Sequence, residues 1–139
     1  MPRSEPQHRR FNSLPTTECL ALLRSHPIGR VGWNSSEGQQ ILPVTYVLRD
    51  GDIVFRTSAY GALSELREPH PVAFEVDDFD IATRTGWSVL VQGTAAASTD
   101  LDGLSTLWQQ QGPVPWATGT RSLFITIRPD QMSGRVIST

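Results

Sequence analysis

Three histidines, one cysteine and a run of aspartates are the side chains in this 139-residue chain whose chemistry would go beyond packing. A metal site needs ligands that the fold can bring to one point, and short regular spacings are the usual sign of one. His8, His26 and His70 show no such spacing; they fall in an N-terminal arm, at the end of a helical segment and between two prolines, and read as surface histidines. Asp77, Asp78 and Asp80 offer oxygen ligands for a hard cation, but the calcium-loop spacing is missing, so the cluster reads as a solvated turn. Cys19, beside Leu20 and Leu23, reads as a small buried hydrophobe rather than a reactive thiol. Trp33, Trp87, Trp108 and Trp116 are many tryptophans for such a chain. Rings of this size anchor cores and interfaces and also wall flat aromatic ligands, and composition does not choose between these roles. Spacing alone yields no catalytic acid, base or nucleophile and no metal site.

Other chemistries are excluded by what the chain lacks. All 12 basic side chains are Arg, so a lysine Schiff base is ruled out and any anionic ligand must be met by arginine. No Walker loop, Rossmann fingerprint or zinc-type cysteine pair is present. A net charge of −2 favours neither nucleic acid nor an anionic membrane as partner. The lone cysteine cannot form an internal disulfide, which fits a reducing cytoplasm. No run is long enough to cross a bilayer, and Met1–Phe11 lacks the apolar core of a signal peptide.

The elements that must position any site are read from periodicity and turn chemistry. Residues 1–12 read as a flexible polar arm and 13–139 as one domain. Pro15–Ser25 reads as a short amphipathic helix stopped by Pro27, and Ile28–Trp33 as a strand. Asn34–Gly38 is a turn, Ile41–Leu48 a second strand, Asp50-Gly51 a tight hairpin turn and Asp52–Thr57 a third strand. Tyr60–Glu68 reads as a short helix, Val72–Val76 as a fourth strand and Trp87–Ala97 as a long fifth. Thr99 or Asp100 caps a helix over Leu101–Gln110. A loop with Pro113, Pro115 and Gly119 then leads to the strand Ser122–Arg128, and Ser133–Ser138 reads as a last edge strand. Six or seven strands on short antiparallel links, with two or three small helices, predict a mainly β chain folded as a closed or half-closed barrel. A hydrophobic share of 38% gives a modest core that burial against a partner subunit would help.

The order of the segments ILPVTYV, DGDIVFRT, SELRE, PVAFEVDDFD and GWSVLVQGTA resembles the pyridoxamine-phosphate-oxidase-like family, especially its short actinobacterial members, over about Leu14 to Arg128. That resemblance implies an FMN-binding split β-barrel that forms a homodimer, with two cofactor sites built across the interface. It places backbone from Pro43, Val44, Thr45 and Tyr46 along the flavin ring. Phe55, Arg56 and Thr57 are implied at the ribityl chain and phosphate, where the fixed donor fork of Arg56 suits a phosphate. Trp87, Ser88 and Val89 are implied to reach the flavin from the partner subunit, and Trp116 to cover it.

The family commonly carries a hydroxyl residue followed by a basic one at the start of the short helix after the FRT-type strand. Here those positions are Gly61 and Ala62, followed by Leu63, so helix N–H groups remain but one charge-assisted contact is missing. Such a contact is worth about 1.5–3 kcal/mol, or about 10- to 150-fold in affinity, unless Arg56 or Arg84 compensates. The implied function is an FMN-dependent oxidoreductase acting on a small molecule. The alternatives are a deazaflavin-dependent reductase and a ligand-binding dimer without turnover. The chain lacks the extended C-terminal substrate-binding region of true pyridoxamine-phosphate oxidases.

Overall fold

The computed structural model describes residues 10–111 and 123–138. Alternation of apolar and polar residues sets most of the strands. Along Ile28–Ser35 (β2), Gly29, Val31 and Trp33 are buried while Arg30 and Asn34 are exposed, so one face of the strand meets the core and the other meets water. A two-residue link carries the chain into Gly38–Arg49 (β3), and Asp50-Gly51 turns it into Asp52–Thr57 (β4). Both turn residues have positive φ, 53° and 86°, the geometry of a hairpin turn whose twist matches its strands.

The remaining strands are Arg10–Leu14 (β1), His70–Asp80 (β5), Thr85–Ala97 (β6) and Leu123–Ser138 (β7). All pairings are antiparallel. The order β7-β4-β3-β2-β5-β6 closes on itself because β6 also pairs with β7, so six strands make a barrel. On its other edge β7 pairs with β4 over Leu123–Ile127 and with β1 over Gly134–Ser138. Among the described residues, no strand pairs with 128–133 on that edge, and we call this stretch the split.

Helix α1 (Thr16–Arg24) buries Cys19 and Leu23 in the barrel core with Phe55, Phe74, Ile53, Ile125 and Ile127. Helix α2 (Leu101–Gln111) lies on the outer face instead, where Leu104 joins Val47, Val54 and Phe124 in a second cluster. Asp100 caps α2 by accepting from the Gly103 N–H at 3.1 Å. Its carboxylate also takes Arg49 Nη2 at 2.7 Å, and that bond, with the cap, holds its pKa below the usual carboxylate range.

Four expectations are revised. Residues 10–12, read as part of the arm, are strand, paired with Val136–Ser138. The last two strands are one of 16 residues, because a bulge between Gln92 and Gly93 of β6 absorbs Asp130. The fourth strand runs on through the aspartates to Asp80, and only Asp80 has turn chemistry, accepting from the Ala82 and Thr83 N–H groups. The helix expected over Tyr60–Glu68 is a 3-10 helix over Ala62–Arg67.

Candidate functional site

The segment Pro43–Tyr46 splits by strand parity. Val44 and Tyr46 point into the barrel, with Tyr46 2% exposed, while Pro43 is exposed and Thr45 half-buried on the outside. The Tyr46 hydroxyl donates to the Leu23 carbonyl at 2.5 Å, and burial pushes its pKa up, so this phenol is a neutral structural group. Tyr46 pairs with Phe55, which is fully buried, and its ring meets Phe74 edge-on at 5.0 Å. The side chains of Val44, Tyr46 and Phe55 therefore fill the core, and only their backbone is available to a ligand.

That backbone has an unusual feature. Strand β4 pairs with β3 only over Tyr46–Arg49, whereas β2 pairs with it from Gly38 to Thr45. Among the described residues, no strand pairs with the β4 side of β3 from Gly38 to Thr45. The Tyr46 N–H points the other way, donating to the Pro27 carbonyl at 3.0 Å. By alternation, the N–H and C=O of Thr45 and the C=O of Pro43 face the open side.

Arg56 and Thr57 end β4 beside this edge. Arg56 points outward, its guanidinium carbon 5.3 Å from the centre of the Phe124 ring, a cation–π contact. Thr57 is 7% exposed, the one buried polar residue among those described. The chain then enters the turn in which Gly61 and Ala62 are exposed and Leu63 packs against the core.

Sequence reasoning gave no weight to Arg67, which closes this turn. Its Nε donates to the Ser64 carbonyl at 3.0 Å and its Nη2 to the Ala59 carbonyl, so the guanidinium spans the loop that carries Gly61 and Ala62. Contacts to backbone carbonyls leave no motif, and only the fold exposes them. Glu65, in the same turn, accepts from Trp33 Nε1 at 2.9 Å.

Trp87, Ser88 and Val89 lie on β6, which pairs with β5 and β7 and with neither β3 nor β4. Val89 is fully buried and Ser88 half-buried. Trp87 is half-buried with its ring edge-on to His26 at 4.7 Å. Within one chain, strand pairing does not join Trp87–Val89 to the edge of β3. Trp116 and His8 lie outside the described residues.

His26 is more tightly held than a surface histidine. Its Nδ1 lies 2.8 Å from Ser25 Oγ and 3.2 Å from the Leu22 carbonyl, and its Nε2 lies 3.4 Å from Asp78 Oδ2. The order of groups resembles a nucleophilic triad, but the Ser25 hydroxyl donates to the Leu22 carbonyl at 2.8 Å and has no proton to pass to the ring. The set is a clamp from the end of α1 to β5. His70 bonds the Asn34 carbonyl at 2.7 Å. Among the described residues, no three His, Cys, Asp or Glu side chains converge on a metal-sized site.

On the outer face of β2 and β5, Arg30 Nη1 bridges Glu75 at 3.0 Å and Asp77 at 3.4 Å. Two carboxylates share one guanidinium. Burial, then the neighbouring Asp77, push the Glu75 pKa up to about 7, against the pull of Arg30. A cavity of about 500 Å³ lies apart from all of these, under the start of α2, between Arg49, Asp52, Thr94, Thr126 and Arg128.

Residues 15–136 match the family model of pyridoxamine 5′-phosphate oxidase. The chain is 30% identical over 138 residues to the uncharacterised protein Rv0080 of Mycobacterium tuberculosis, covering 95% of this chain and 90% of that one. The structure of an FAD-binding protein from Mycobacterium smegmatis superposes with a TM-score of 0.75 at 30% identity, over 90% of this chain and 97% of that chain. An FAD-binding protein from Mesorhizobium loti superposes with a TM-score of 0.77 over 95% and 100%; its 22% identity speaks for the fold alone.

Proposed function

Because the chain belongs to the pyridoxamine 5′-phosphate oxidase family, we propose that it is a flavin-dependent oxidoreductase working as a homodimer. In this reading each FMN lies across the subunit interface and a small-molecule substrate enters beside it. The observation that carries the reading is the backbone edge of β3 that no described strand pairs with, next to Arg56 and Thr57. A flavin ring has a polar edge and an apolar body, and main-chain donors and acceptors beside Pro43 fit both. Arg56, lying over the Phe124 ring, suits the phosphate end, and Thr57 ends the strand beside it.

The composite site is supported by where the remaining candidates sit. Trp87 and Ser88 lie on a strand that pairs with neither β3 nor β4, and in this reading a second copy supplies them to the site. The outer sheet face offers a surface for one: Ile41, Gly32 and Ala73 lie in one row across β3, β2 and β5, and Pro43, Arg30, Glu75 and Leu90 in the next. Ile41 is 67% exposed in the single chain.

When bound, the flavin supplies the two-electron chemistry. The chain's own part is to hold the ring against β3, to neutralise the phosphate and to exclude water at the interface. The lone buried cysteine and the absence of any described helix long and apolar enough to cross a membrane fit a cytoplasmic protein.

A second reading of the cofactor is favoured by the M. smegmatis neighbour, which is named as FAD-binding. The two readings share a site and differ in what extends beyond the first phosphate. The test is to release the cofactor from purified protein by heat and weigh it. FMN at about one per chain supports the first reading and FAD the second; a colourless protein that quenches neither added flavin overturns both.

A further inference from the structure

The turn between β4 and β5 lacks the basic residue that the family commonly places at position 62, yet it is not without positive charge. We propose that Arg67 supplies the cation for the phosphoryl end of the flavin nucleotide, reaching from the C-terminal end of the 3-10 helix instead of its start. The proposal rests on the flavin reading given above and adds to it the residue that selects a phosphorylated flavin.

Three observations support the assignment. Arg67 is exposed, and two of the five donors of its guanidinium are committed to the Ser64 and Ala59 carbonyls. Those two bonds anchor the group across the loop of Gly61 and Ala62 and leave the rest of the fork for an anion. The ordering cost of a long side chain is met before any ligand arrives, which favours tight recognition.

The acidic residue within the 3-10 helix is engaged elsewhere. Glu65 is held by Trp33 Nε1 at 2.9 Å in a half-buried contact, which keeps its carboxylate from cancelling the charge of Arg67. Glu68 follows Arg67 directly and is exposed, where water screens it. Arg56, over the Phe124 ring, lies at the end of β4, and Arg67 at the end of the 3-10 helix, so the two arginines stand on either side of the Gly61-Ala62 loop along the chain.

The experiment compares FMN, FAD and riboflavin in titrations followed by quenching of flavin fluorescence, on the full chain and on Arg67→Gln and Arg67→Lys. The phosphate preference is the ratio of the riboflavin Kd to that of the tighter nucleotide. In the parent protein it should exceed about 10-fold, fall by about 10-fold or more in Arg67→Gln, and recover in part in Arg67→Lys. Riboflavin affinity should stay unchanged throughout. A preference that survives Arg67→Gln overturns the assignment and leaves the flavin reading standing. Equal loss of riboflavin and nucleotide binding marks Arg67 as a loop brace only and likewise overturns it. A parent protein that binds none of the three overturns the flavin reading itself.

Discussion

Adding one methyl group at Gly29 tests whether the barrel is packed as described. A Cβ built there lies 2.2 Å from Phe74 Cζ and 2.8 and 2.9 Å from the two Cε atoms. Carbon atoms rest about 3.5–4.0 Å apart, so the ring must retreat by at least about 1.3 Å. It has little room to do so. Phe74 is fully buried, and its edge contact with Tyr46 passes the push to a side chain pinned by its own hydroxyl to the Leu23 carbonyl. Gly29→Ala should therefore cost about 1–3 kcal/mol, the usual range for overpacking, out of the roughly 5–15 kcal/mol that holds a domain together. Urea unfolding at unchanged slope measures it as a lower midpoint. The same substitution in a Phe74→Leu background should cost far less, because leucine lacks the Cζ and Cε atoms that clash. An effect below about 0.5 kcal/mol, or an equal cost in both backgrounds, would refute the packing argument.

Other outcomes follow from the same contacts. Tyr46→Phe removes a buried hydrogen bond and strands a carbonyl at the end of α1, so it should destabilise by about 1–3 kcal/mol in the same assay. Glu75 has a folded pKa of about 7 against 4.5 for the free group, so the folded state holds its proton longer as pH rises. Its contribution to stability is lost between about pH 4.5 and 7, and Glu75→Gln should flatten that part of the stability–pH curve. Arg56→Ala should lower flavin affinity without changing native mass, whereas Trp87→Ala should weaken both flavin binding and dimer association; equal effects of Arg56→Ala on both would remove it from the phosphate.

The hairpin at Asp50-Gly51 was legible because its chemistry is local: two adjacent residues that tolerate positive φ between alternating strands. The pairing of β1 was not, since Arg10 meets Ser138 across nearly the whole chain and nothing in RFNSL announces it. Pro129 continues the strand read over Ser122–Arg128, although proline cannot donate to a ladder. It pairs with Gly93 on β6 and faces the split on its other edge, where no N–H is needed. The bulge there also explains Gly93, whose Cβ would stand 2.2 Å from the Arg128 carbonyl oxygen.

The candidate site was legible as a set of segments but not as a surface. Parity along β3 and β4 assigns Tyr46 and Phe55 to the core and Thr45 and Arg56 to the outside, and a strand pattern alone does not say which face a ligand takes. The open edge of β3 depends on where β4 stops pairing, and the position of Arg67 depends on a turn of 3-10 rather than α-helical form.

The proposed flavin site needs two copies of the chain. The most direct measurement is flavin binding across a dilution series of the protein, with native mass recorded on the same samples. Bound flavin should reach about one per chain in the dimer and fall in step with the dimer population as the protein is diluted. Monomers that bind flavin as tightly as dimers would contradict the claim.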